Sequence, residues 1–236
     1  MKKVYLILLS LILFWGCECV TEIDTPKNIS PSTYAHLMTV TALPEFDELK
    51  IFNEFWQKPF YIFYQNDGNN YQYKDITYGL NNIRVMTRKD SVIFNSTISL
   101  EKTKYYTFII FGSKQRVQAM LLRDSIFNYK KSNAYFRCIH TSSDAPQVNF
   151  IINSNYPIIY SLPYRTNSNF TPVVPGIYSI KINDAITDST LTSIKKFEFK
   201  EGFLYSLILR GYSEGKGSKT LECQIVESDE FYKKSE

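Results

Sequence analysis

Short stretches in which apolar and polar residues alternate recur along most of the chain. Among them are "NNIRVMT" (81–87), "IYSIKIN" (177–183), "KKFEFK" (195–200) and "TLECQIV" (220–226), separated by Gly, Pro, Asn and Asp. A period of two sends successive side chains to opposite faces of an extended chain, which is the mark of a strand with one face buried. No stretch of a dozen residues holds a 3.6-residue period. The pattern therefore predicts an all-β fold, and composition agrees: Tyr 18 and Phe 17 are high, and aromatic residues favour the pleated surface of a sheet.

The exception to alternation is the N-terminus, "MKKVYLILLSLILFWGC". Two lysines precede an apolar run from Val4 to Trp15, broken only by Ser10. About 12 residues is too short for a bilayer, which takes roughly 20, so the run reads as an export signal rather than a membrane helix. Gly16-Cys17 at its end resembles the lipobox of bacterial lipoproteins, which implies a signal peptide over 1–16 and lipidation of Cys17. Residues 17–32 are rich in Ser, Thr, Asn and Pro, poor in apolar side chains, and read as a tether. Glu18, where an Asp would favour retention in the inner membrane, points to the outer membrane of a Gram-negative cell, with the protein periplasmic or surface-exposed.

Self-comparison organises the rest. "YAHLMTVTALP" from Tyr34 lies over "NAYFRCIHTSS" from Asn133, "YGLNNIRVM" over "PGIYSIKIN", and "KYYTFIIFG" over "FLYSLILRG". Gly79 then falls on Gly176 and Gly112 on Gly211. This order predicts two tandem immunoglobulin-like β-sandwich domains, 33–125 and 133–236, joined near "RDSIFNYKKS".

Candidate chemistry concentrates in "YFRCIHTSSDAPQVNFII" (135–152), where His140, Ser142, Ser143 and Asp144 have the residue types of a hydrolytic triad. A triad needs its members to converge from separate elements beside an oxyanion hole. Residues this close on an extended chain point to alternate sides, so the stretch reads as a strand end with Ser and Asp bonding nearby backbone. On that reading His140 and Asp144 are held by backbone hydrogen bonds, and Ser142 matters less. The same stretch, with "PGIYSIKI" and "KEGFLYSLILRG" after it, resembles the bacterial envelope module catalogued as domain of unknown function 4397 (DUF4397). Arg137, His140, Ser142, Asp144, Ala145 and Pro146 fall on its motif, as do Pro175, Gly176, Tyr178, Gly202 and Tyr205, whereas Thr141 and Ser143 depart from it. In the first repeat Met38 and Thr41 stand where the Arg and His would be. The resemblance implies a β-sandwich in an exported protein and lends no activity.

Other sites are sparse. Only His36 and His140 could join scattered carboxylates around a metal, so neither a metal nor a cofactor is expected. "RGYSEGKGSKT" (210–220) lacks the spacing of a phosphate-binding loop and reads as a flexible hairpin loop. The net charge of +4 is dispersed, and Lys2 and Lys3 leave with the signal, so no nucleic-acid partner is expected. Aromatics crowd residues 54–73, which makes Trp56, Tyr61 and Tyr64 candidates for a glycan or partner surface. Cys138 and Cys223 lie on strand-like segments with apolar residues at the same parity; an oxidising compartment would allow a disulfide between them, and the alternative is two buried thiols too far apart to join. Asp90-Ser91-Val92, Asp124-Ser125-Ile126 and Asp188-Ser189-Thr190 look like an O-glycosylation signal used in some Gram-negative periplasms. The sequence points to a lipid-anchored, non-enzymatic envelope protein, a binding or structural module whose partner beyond the membrane is a glycan or another envelope protein. Alternatives are a glycan-binding accessory of a carbohydrate uptake system and a surface fibre or adhesin subunit.

Overall fold

The computed structural model describes residues 34–54, 58–64, 71–153 and 157–228. The first repeat supplies β1 (Tyr34–Thr41), β2 (Glu48–Asn53), β3 (Tyr61–Tyr64), β4 (Lys74–Thr77), β5 (Gly79–Thr87), β6 (Val92–Leu100), β7 (Tyr105–Ser113) and β8 (Arg116–Asp124). The second supplies β9 (Ala134–His140), β10 (Val148–Ile152), β11 (Pro157–Leu162), β12 (Thr166–Asn167), β13 (Thr171–Val173), β14 (Gly176–Asp184), β15 (Thr190–Phe199), β16 (Leu204–Arg210) and β17 (Glu222–Ser228). Each repeat is a sandwich of two sheets, as the alternation predicts. In the first they run β4-β1-β7-β8 and β3-β2-β5-β6; in the second β12-β9-β16-β17, with β13 also on β9, and β11-β10-β14-β15.

The duplication is visible in the hydrogen-bond register. The parallel pair β1–β7 sets His36 opposite Tyr105, and β9–β16 sets Tyr135 opposite Leu204, displaced by 99 residues (36 to 135, 105 to 204). A capping contact repeats at the same displacement. The backbone N–H of Glu101 donates to the Tyr106 hydroxyl at 3.1 Å, and that of Lys200 to the Tyr205 hydroxyl at 2.9 Å.

Three apolar clusters form. One fills the first sandwich around Leu37, Ile51, Ile83 and Phe108, and a second fills the other around Phe136, Phe150, Ile182 and Leu207. The third lies between them: Met38, Val40, Ile109 and Phe111 pack with Ile139, Ile208 and Val226. The sheets containing β1–β7 and β9–β16 thus meet through their outer faces, and both sandwiches belong to one compact unit. Strands buried on both faces read as near-continuous apolar runs. This explains why β9 is buried along its whole length.

Two expectations are corrected here. Cys138 and Cys223 are free thiols. They flank β16 on either side, Cys138 opposite Leu207 and Cys223 opposite Leu209. Two strand spacings of about 4.8 Å exceed the roughly 7 Å between Cα atoms that a disulfide tolerates. Burial pushes both thiols up, Cys223 to about 12, so neither is a ready nucleophile. The second correction is Tyr61, which is 6% exposed and stacks on Phe63 inside the first core. Its hydroxyl donates to the carbonyl of Leu37 at 2.9 Å and also bonds the carbonyl of Gln72. Because alternate residues of β3 face inward, Tyr64 is the one left exposed. Trp56 lies outside the described residues, as do Cys17 and the segments read as signal and tether.

Candidate functional site

The strand end that carries the motif is built as a knot of backbone contacts. His140 is fully buried, and its Nε2 lies 2.8 Å from the carbonyl oxygen of Pro146. A carbonyl can only accept, so Nε2 carries the proton and Nδ1 is bare. Nδ1 is buried and has no hydrogen-bond partner, and burial holds the ring's pKa below its ordinary value. Ser142, expected to matter little, is 1% exposed. Its hydroxyl donates to the carbonyl of Gly211 at 2.7 Å and lies 3.1 Å from Asp144 Oδ1. Asp144 in turn accepts the backbone N–H of Ser213 at 2.9 Å. The motif turn is therefore stitched to the loop between β16 and β17.

That loop, expected to be flexible, is closely packed at two of its three glycines. A Cβ at Gly211 would stand 2.2 Å from the carbonyl oxygen of Thr220, and one at Gly215 would stand 2.0 Å from that of Lys219. Close backbone approach is the reason these positions are glycine.

Arg137 takes a different route. It leaves β9 on the face opposite Phe136 and Cys138, and that face is the junction between the sandwiches. The guanidinium donates to Asp124 Oδ1 at 2.6 Å and to Ser206 Oγ at 2.9 Å, and it stacks 4.6 Å from the centre of the Phe170 ring. Asp124 Oδ2 accepts the hydroxyls of Tyr73 and Thr107, each at 2.6 Å. Burial, then the adjacent Asp124 carboxylate, drives the Tyr73 phenol well above its usual pKa. Three groups of the first sandwich and two of the second thus share one withdrawn charge network. Asp124, Tyr73, Thr107 and Ser206 were not singled out by the sequence, which offered Asp124 only as part of a glycosylation triplet. Ser91, Ser125 and Ser189 of those triplets are exposed.

Beside this network opens a cavity of about 580 Å³. Its lining includes Phe127, Asn128, Lys130 and Asn133 from the linker and Asn169 and Phe170 from the loop before β13. Phe127 is 91% exposed at its rim. Among the described residues no carboxylate lines the cavity. Among the described residues no group of three metal-ligating side chains converges.

Two solved structures are similar at low identity. The Bacillus anthracis TIE protein matches at 12% identity and a TM-score of 0.23, covering 76% of this chain. The match takes in 34% of that protein, so this chain spans about a third of its length. A protein from Bacteroides ovatus described as a candidate adhesin matches at 10% identity and a TM-score of 0.19, covering 82% of this chain and 92% of its own. No curated protein matches the sequence. The family described as Domain of unknown function (DUF4397) matches twice, over residues 66–151 and 134–231, the second stretch coinciding with the second sandwich. The chain belongs to the DUF4397 family.

Proposed function

We propose that this chain is an exported, lipid-anchored envelope protein of the outer membrane whose two-sandwich body is a non-enzymatic binding or structural module. The observation that carries the reading is the commitment of the triad-like residues. His140 bonds Pro146, Ser142 bonds Gly211 and Asp144 bonds Ser213, so each is spent on holding the strand end. The anchor rests on Gly16-Cys17 after a short apolar run. Acyl chains bury about 0.8 kcal/mol per methylene, and several together hold a protein to the bilayer. The test is metabolic lipid labelling with membrane fractionation. Cys17→Ser should lose both label and membrane association, and wild-type labelling of that variant would overturn the anchor. An esterase and peptidase panel run on the full chain should show no turnover, and an activity abolished by Ser142→Ala would overturn the rest.

A second reading, a glycan-binding accessory protein, is favoured by the linker cavity. Its volume is in the range of small-ligand sites, and it combines aromatic rings with the amides of Asn128, Asn133 and Asn169. Aromatic faces stack on sugar rings and amides bond vicinal hydroxyls. Saturable binding in a glycan screen that Phe127→Ala abolishes would support it, and a silent screen would leave the structural role.

A further inference from the structure

Sheet edges are hazards that folded proteins blunt with charges, proline, bulges or short length. The described residues give this chain eight edges, one of them formed jointly by β12 and β13 along the same side of β9. β4 carries Lys74 and Asp75; β8 carries Arg116, Arg123 and Asp124; β17 carries Glu222 and Glu227. β15, the counterpart of β6 in the second sandwich, carries Lys195, Lys196 and Glu198, and its pairing with β14 is broken twice. β11 begins with proline and has two register breaks; β13 contains Pro172, and β12 is two residues long. β3 has four residues. The remaining edge is β6, "VIFNSTISL", nine residues with neither a charge nor a proline. Its one irregularity lies beyond Phe94, so Phe94–Leu100 pairs continuously with β5.

That run suits a second copy of itself. Phe94, Ser96, Ile98 and Leu100 face inward, and Asn95, Thr97 and Ser99 are exposed on the outer face. A two-fold axis at Thr97 sets Phe94 against Leu100 and Ser96 against Ile98 on the inner face. On the outer face it sets Asn95 against Ser99 and Thr97 against its own copy. Every pair is neutral, and small hydroxyl and amide pairs support antiparallel strands. The same operation on β15 would bring its lysines together. We infer that the β6 edge is a homodimerisation site, two copies pairing antiparallel about Thr97 so that their β3-β2-β5-β6 sheets become one continuous sheet.

The test uses the chain from residue 17 onward, with Cys17 and Cys19 replaced by serine so that Cys138 and Cys223 are the remaining thiols. Sedimentation equilibrium should show a monomer–dimer equilibrium. Thr97→Lys, which places like charges at the axis, should weaken it by about tenfold or more, whereas Lys196→Glu on β15 should leave it unchanged. Thr97→Cys should cross-link to its own copy on oxidation and Asn95→Cys should not, because only position 97 meets itself in this register. Thr97 is exposed, so these variants keep the fold. A chain that stays monomeric at every concentration overturns the inference. So does a dimer that survives Thr97→Lys, or cross-linking that favours position 95.

Discussion

Replacing Asp124 by alanine removes one side chain and strands three others. Arg137 keeps its charge with its side chain 3% exposed, and the hydroxyls of Tyr73 and Thr107 lose their acceptor. Deleting one partner of a buried ion pair costs about 3–5 kcal/mol, because the surviving charge stays in a medium that solvates it poorly. Each orphaned hydroxyl adds up to about 1–3 kcal/mol, but all three groups share one carboxylate, so the costs overlap rather than sum. Against a total stability of about 5–15 kcal/mol, a loss near 4 is a large fraction. Urea denaturation of the full chain should show it as a lower midpoint. It should also separate one transition into two, since each sandwich keeps its own core.

Two controls sharpen the argument. The pair Arg123–Glu101 has a similar separation, 2.9 Å, but both side chains are exposed. Glu101→Ala should therefore cost under about 1 kcal/mol. Replacing Asp124 by leucine together with Arg137 by methionine removes both charges and fills the space. It still leaves the Tyr73, Thr107 and Ser206 hydroxyls without these partners, so it should cost about 1–3 kcal/mol, less than Asp124→Ala, because no unpaired charge stays buried. An Asp124→Ala loss below about 1 kcal/mol, or a double variant as damaged as the single one, would refute the reasoning.

Ser142→Ala should lower the melting temperature as much as Asp144→Ala does, because it leaves the Gly211 carbonyl without its hydroxyl donor; unchanged melting would show that water replaces the bond. His140 has a folded pKa below its unfolded value near 6.5, so the unfolded chain binds the extra proton and stability falls as pH drops through that value toward the folded one. Urea midpoints at neutral and mildly acidic pH should show this loss in the wild type, and His140→Gln should flatten it. The 133–236 fragment keeps a complete core and should fold, but with Ile139, Ile208, Val226 and Arg137 uncovered its midpoint should lie below that of the intact chain. Equal midpoints would mean that the junction contributes nothing.

The all-β class and the duplication were legible because they depend on local periodicity and on order, which a single sequence carries. The junction was not. Ile109 and Phe111 sit in "YYTFIIFGS", where both faces are apolar, and no alternation tells a strand covered by one sheet from a strand covered by two. Arg137 and Asp124 look in isolation like ordinary strand charges, and which pairs with which is a long-range fact. The aromatic cluster misled for a similar reason. Tyr61 and Tyr64 differ by three positions, hence by one face, and the parity of so short a strand is fixed by its pairing with β2.

The register also shows how the two repeats differ at the junction. Met38 faces Thr107 across β1–β7, and the equivalent pair across β9–β16 is Arg137 facing Ser206. Asp124 lies opposite Tyr105 and Ser228 opposite the equivalent Leu204. Each hydroxyl position is therefore kept in both repeats, Thr107 bonding the carboxylate and Ser206 the guanidinium. The charged positions are split: the first repeat keeps the acid with Met38 in the arginine's place, and the second keeps the arginine with Ser228 in the acid's place. Had both repeats carried both charges, the face-to-face junction would bury two ion pairs, each with its own desolvation penalty. One pair crossing the junction satisfies both halves at once. Ser228, in the acid's equivalent position, keeps a buried hydroxyl with no hydrogen-bond partner.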